Sequence, residues 1–203
     1  GCIVEGECLD NRYQWKNTIG PVENRPLNRN RWEFTFEHRY YPDYFQSYGL
    51  GFFEFFQLSE DIGAEPLPVL AAGVPCQNSS WGGDGQQGGI PLGKEMDEYI
   101  QDVLDLIEWA NGDKTTKWGR VRAEAGHPKP FNLKYVGIGN EDLISEVFKE
   151  RFKLIYDAVK AKYPDITVIG TVGPFYEGSD YEYGWQFAKE LDVPIVDEHY
   201  YCP

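Results

Sequence analysis

From Gly49 onward, apolar positions recur at helical spacing and then give way to short apolar runs. Phe52, Phe55, Phe56 and Ile62 share one helical spacing and stop at Gly63, and Pro66 to Ala72 follows as a short apolar strand. Met96, Tyr99, Ile100, Val103, Leu104 and Ile107 repeat at intervals of three and four, predicting a helix that ends near Gly112. After a loop, Leu133 to Ile138 reads as a strand. Ser145 is placed to cap a helix whose face is Phe148, Phe152, Ile155, Tyr156 and Val159; Pro164 stops it, and Ile166 to Gly170 is the next strand. Asp180 is expected to cap a last helix through Trp185 and Leu191, followed by the strand Val193 to Asp197.

Four helix-then-strand units of this kind predict a parallel sheet covered by helices. A doubly wound sheet and a (β/α)8 barrel both fit. No Gly-rich phosphate loop is present, because Gly82-Gly83-Asp84-Gly85 neither follows a strand directly nor opens a helix. Polar and aromatic residues crowd the carboxyl ends of the strands, where barrel enzymes place their chemistry, and this favours the barrel. Four strands are half of one. The chain also starts without Met and stops at Pro203 just after an apolar strand, so a piece of a longer protein is expected. Residues 1–48 lack helical period and read as loops, with an aromatic segment at Trp32 to Phe36 that reads as either a short strand or a packed loop. Residues 73–93 form a long Gly-rich loop.

Composition narrows the partners. With 19 basic and 33 acidic residues among 203, the chain carries a formal charge of −14, which disfavours phosphate backbones and anionic lipid. No apolar run approaches the roughly 20 residues of a bilayer span. Six Trp, 14 Tyr and 12 Phe supply a large core, and in an acidic chain they also suit neutral polyhydroxylated ligands. Cys2, Cys8, Cys76 and Cys202 contain no CxxC pair, and disulfide pairing cannot be deduced from their spacing. His38 and His127 lie far apart, with no HxxxH or HExxH spacing, so neither a metal nor another cofactor is expected.

The sharpest chemical feature is Tyr135-Val136-Gly137-Ile138-Gly139-Asn140-Glu141-Asp142, an apolar strand running straight into an amide and a carboxylate. At the mouth of a barrel such a glutamate is partly desolvated, which favours its neutral, proton-donating form. The plain alternative is a turn in which Asn140 caps and Glu141 is solvated. His199 and Tyr201 are one residue apart and point the same way on a regular strand; a buried structural histidine is the competing reading. Asp197 and Glu198 at that strand end are read as supporting residues. Trp81 could flank a cleft or pin its loop, and Arg25 could pair with an acidic surface.

Taken in order, several segments resemble the α-L-arabinofuranosidases of glycoside hydrolase family 51. They are Gly1-Cys2-Ile3-Val4-Glu5-Gly6, Tyr13-Gln14-Trp15, Ile19-Gly20-Pro21 with Arg25-Pro26, and Gly49-Leu50-Gly51-Phe52-Phe53-Glu54-Phe55. Gly126-His127-Pro128, the Asn140-Glu141 segment and Asp197-Glu198-His199-Tyr200-Tyr201 follow. The resemblance spans nearly the whole chain. It implies residues 1–203 as the central part of one (β/α)8 catalytic domain, with the first strands, the last strands and any carboxyl-terminal β-sandwich outside it. It implies a retaining hydrolase that removes terminal arabinofuranosyl groups from arabinan- or arabinoxylan-type polysaccharide. Glu141 would be the general acid/base and Asn140 the residue holding the sugar 2-hydroxyl. Tyr201 would contact the nucleophile or the sugar, with His199 as a polar wall. Cys2 would sit beside the sugar, and Trp15 would be an aromatic platform next to it; simple packing would account equally for Cys2 and for a core Trp15. The nucleophilic glutamate would come from a later strand, beyond Pro203, leaving the covered chain inactive alone. The acidic charge argues against a nucleic-acid or membrane partner, while the resemblance is compatible with a homo-oligomer and leans towards a secreted or periplasmic protein. An endo-acting β-glucanase or xylanase on the same scaffold, and a carbohydrate-binding protein without catalysis, are the competing readings.

Overall fold

A computed structural model of the protein describes residues 8–30, 44–75 and 88–201. Three single turns of 3-10 helix, Leu9–Asn11, Trp15–Thr18 and Val22–Asn24, precede a short antiparallel ladder of β1 (Asn28–Asn30) with β2 (Tyr44–Gln46). The remainder alternates helices and strands. These are α1 (Phe52–Asp61), β3 (Val69–Leu70), α2 (Lys94–Asn111), α3 (Lys117–Glu124), β4 (Tyr135–Ile138), α4 (Glu146–Lys162), β5 (Thr167–Thr171), α5 (Ser179–Glu190) and β6 (Ile195–Asp197).

The four strands β3 to β6 form one sheet in sequence order, every neighbouring pair parallel. Each connection crosses over through helix, as parallel pairing demands. The helices lie side by side: α2 packs on α4, and Phe148 and Phe152 of α4 meet Phe187 of α5 edge-on. Strand order does not reverse among these four.

Alternation along the strands divides the sheet into two faces. Val136, Ile138 and Val168 are fully buried beneath the helices. Gly170 shares that face, where a Cβ would meet the Phe152 ring at 3.2 Å, so glycine lets α4 approach closely. On the opposite face, Val69, Tyr135, Ile169 and Ile195 are only partly covered by the described residues. One face of this sheet is a finished core and the other is not.

Helix signals behave as their chemistry predicts at α4. Ser145 accepts a hydrogen bond from the Phe148 amide at 3.2 Å, and the five predicted apolar residues are all buried. Lys160 donates to the Pro164 carbonyl beyond the helix end. Helix α5 differs from expectation. It starts at Ser179 behind Gly178, and Asp180 uses its side chain to accept from the Ile144 amide at 2.9 Å. Three of the predicted strands shorten to the residues that pair in the ladder, Pro66 to Ala72 contributing only Val69–Leu70, while Ile166 to Gly170 shifts by one to Thr167–Thr171.

Helix α3 occupies what the apolar pattern reads as loop. Thr116 caps it by accepting from Gly119, and Arg122 anchors it. That guanidinium is fully buried and donates to the carbonyls of Trp109, Ala110, Gly112, His127 and Pro128. It thereby satisfies the carboxyl end of α2 and the turn after α3 together. Arg122→Leu in the complete protein should cost about 3 kcal/mol, because several buried carbonyls lose their donor at once. Denaturant unfolding checks this, and a loss within experimental error would refute the anchoring role.

Candidate active site

At the carboxyl end of β4 the chain turns sharply through Gly139, Asn140 and Glu141. Gly139 has φ +82° and Glu141 φ +57°, so two of three consecutive residues adopt left-handed backbone. Glycine is required at 139 on two grounds. Its φ disfavours a side chain, and an added Cβ would lie 2.4 Å from Asp142 Oδ2. Asp142 holds the turn from inside: fully buried, it accepts the Asn140 amide at 2.9 Å. Glu141 has no such licence from its residue type, and its left-handed conformation is sustained by the surrounding contacts.

The turn delivers Glu141 to the end of β6. Glu141 is 8% exposed. Its Oε1 stands 2.7 Å from His199 Nδ1, and His199 Nε2 stands 2.9 Å from Asp197 Oδ2. The Tyr201 hydroxyl also bonds Glu141, which pushes the tyrosine pKa up. Residues 197, 199 and 201 thus converge from one side of the chain. Those between them turn the other way: Glu198 accepts from Tyr181 and Trp185 of α5 and from Tyr200. The alternation expected of His199 and Tyr201 persists although the ladder itself ends at Asp197.

Both His199 nitrogens face carboxylate oxygens. Burial of the ring opposes its charging, but hydrogen bonds and attraction from Asp197 and Glu141 outweigh burial and raise the His199 pKa above 6.5. The imidazolium can donate from both nitrogens at once; a neutral ring can satisfy both oxygens only if one carboxyl carries the proton instead. His199 thus links Glu141 and Asp197 through its two ring nitrogens.

Asn140 lies half-exposed beside Glu141. Trp15 is brought elsewhere. It is 4% exposed, packs against Trp109 and Trp118, and donates its indole N–H to the Asp102 carbonyl of α2 at 2.9 Å. A stacking platform needs an open ring face, so the structure corrects the platform reading of Trp15 to a core residue. Cys2, His38, Trp81, Cys76 and Cys202 lie outside the described residues. Arg25 forms a two-pronged pair with Glu54, but its side chain is only 2% exposed, so the pair is not a surface one; His127 stacks on Phe131 and bonds Glu60. Asp197, read from the sequence only as a support, proves to be the second partner of His199; its position two residues before the histidine, on the same strand face, was the available signal. Among the described residues, no group of three or more His, Cys, Asp or Glu is arranged to hold a metal ion.

The raised His199 pKa has a definite consequence for stability. Its contribution is fully present below the unfolded value of about 6.5 and fades as pH rises through the folded value. Asp197→Asn should lower the His199 titration midpoint, as followed by NMR of the imidazole in the complete protein. An unmoved midpoint would exclude Asp197 as a cause of the raised His199 pKa.

Comparison with known proteins is consistent throughout. The profile of the family described as Alpha-L-arabinofuranosidase 1 domain matches residues 1–202. The chain is 47% identical over 189 residues to an extracellular exo-α-L-arabinofuranosidase of Streptomyces chartreusis, covering 93% of this chain and 21% of that protein. It is 40% identical over 185 residues to α-L-arabinofuranosidase 1 of Arabidopsis thaliana, covering 89% of this chain and 24% of the relative. The chain thus spans about a fifth to a quarter of the length of these relatives. Among solved structures, an arabinose-bound family 51 α-L-arabinofuranosidase superposes with TM-score 0.68 at 31% identity, over 84% of this chain and 24% of that one. A thermostable family 51 enzyme from Thermotoga petrophila shares the fold, with TM-score 0.65 at 22% identity over 98% of this chain and 34% of that one.

Proposed function

The chain belongs to the α-L-arabinofuranosidase 1 domain family, and from that premise we propose that it is the acid/base-bearing part of a retaining glycosidase that removes terminal α-L-arabinofuranosyl groups. The single observation that carries the proposal is the Glu141 carboxyl group, held at a strand end and bonded to His199. The partly covered second face of the sheet and the sequential parallel strand order support a (β/α)8 barrel completed by strands outside this chain. The substrate would be an arabinose-containing poly- or oligosaccharide.

In this mechanism Glu141 begins as the neutral acid. Its proton passes to the departing glycosidic oxygen while a glutamate from a later strand attacks the anomeric carbon, giving a glycosyl ester and a Glu141 carboxylate. His199, whose Nδ1 lies 2.7 Å from Glu141 Oε1, holds the carboxyl group in position through the step. Water, giving a proton back to Glu141, then attacks the anomeric carbon and displaces the glutamate carboxylate, and the sugar leaves with its configuration retained. Asn140 binds the sugar 2-hydroxyl, a contact that strengthens as charge develops at the anomeric centre. Tyr201 bonds the acid/base carboxyl and fixes its direction. Two carboxyl groups about 5 to 5.5 Å apart are required for retention, so the nucleophile must enter opposite Glu141.

Glu141→Ala in the complete protein should lower kcat/KM on natural, poor-leaving-group substrates by about 10²-fold or more. Aryl arabinofuranosides with activated leaving groups should lose far less in glycosylation, since they need little protonation. Equal losses on both in that step would remove Glu141 from the proton-donor role.

A further inference from the structure

The segment that brings His199 and Tyr201 to Glu141 carries a second set of side chains facing away from it. Tyr200 stacks on Tyr176, which follows β5, with ring centroids 6.0 Å apart and planes within 11°. Both rings remain open to solvent: Tyr200 is 62% exposed and Tyr176 39%. The pair is anchored, not loose. Glu198 accepts from the Tyr200 hydroxyl, and its other oxygen accepts from Tyr181 at 3.0 Å and from Trp185 Nε1 at 2.7 Å. One carboxylate is thus spent on fixing three aromatic residues at the strand ends.

We propose that Tyr176 and Tyr200 form a stacking platform for the main chain of a neutral polysaccharide whose arabinofuranosyl branch enters the Glu141 site. Three observations carry it. First, the pair is continuous with the candidate active site, because Tyr200 lies between the two residues that touch Glu141 in sequence. Alternation sends the branch-binding and main-chain-binding side chains to opposite sides of one extended segment, as a branched substrate requires. Second, open aromatic faces match the apolar C–H faces of sugar rings, and the phenolic rim leaves room for hydroxyl contacts. Third, the formal charge of −14 disfavours an anionic occupant and is neutral towards a glycan. The inference rests on the glycosidase reading and adds the subsite that receives the rest of the substrate.

The test uses the complete protein, its Tyr176→Ala and its Tyr176→Phe variants, on arabinoxylan, arabinan and an aryl α-L-arabinofuranoside. Selectivity, the ratio of kcat/KM on polymer to that on the aryl glycoside, should fall about five-fold in Tyr176→Ala through a higher KM for polymer. Tyr176→Phe, which keeps the ring, should hold the parental ratio, and matching thermal melts separate lost stacking from misfolding. If the parent hydrolyses the aryl glycoside but both variants keep the parental ratio, the platform is overturned and the glycosidase reading stands. A parent inert on every arabinofuranoside overturns the glycosidase reading and this inference with it.

Discussion

The buried carboxylate of Asp142 is the constraint on which the site depends. It sits at zero exposure immediately after the acid/base candidate and accepts the Asn140 amide across a turn that no ordinary backbone would choose. Two left-handed residues in three are costly, about 1 kcal/mol or more for a non-glycine such as Glu141. The gain is directional. An extended continuation of β4 would send successive side chains to alternate faces, whereas the turn bends Glu141 across to β6 and His199. Gly139 makes this affordable by leaving the space that Asp142 Oδ2 occupies. The Ile144 amide, bonded to Asp180 of α5, then ties the outgoing chain to the neighbouring crossover, so that site and scaffold share their anchors.

Much of this was legible in the sequence wherever a residue's environment is set by local periodicity. Helices α2 and α4 follow from apolar spacing because their buried faces are long and regular, and Ser145 caps as its chemistry requires. Helix α3 was not legible. Its residues Lys117, Trp118, Gly119 and Arg120 carry little apolar period, and it is held instead by Thr116 and by the long reach of Arg122 into the carbonyls around it. The antiparallel ladder near the start escaped for a related reason: Asn28, Arg29 and Asn30 are poor strand formers, paired through tertiary context.

The same division explains the site. The Asn140-Glu141 pair stands out because polar residues break an apolar strand, and the spacing of His199 and Tyr201 survives because alternation survives beyond the ladder. Trp15 shows where the reasoning stops. A tryptophan in a loop-rich segment reads equally as platform or core, and only the three-dimensional packing decides it. Here Trp15 packs on Trp109 and Trp118 and bonds the Asp102 carbonyl, which leaves it 4% exposed. Conversely Tyr176, unremarked in the sequence, acquires meaning only through its stacking on Tyr200.

A chain with 33 acidic residues and 19 basic ones has an electrostatic difficulty in bringing carboxyl groups together at a site. Glu141 and Asp197 approach the same imidazole from opposite ends, and their attraction raises the His199 pKa, so that a charged ring would offset the repulsion between them. This favours a histidine over a lysine or an arginine at 199. Lysine would present one point charge, and arginine would remain charged at every step. Imidazole can exchange its proton with one neighbour while keeping its bond to the other. An acid/base of the kind proposed for Glu141 is best braced by a partner that tolerates both protonation states, and the Asp197–His199 pair offers one.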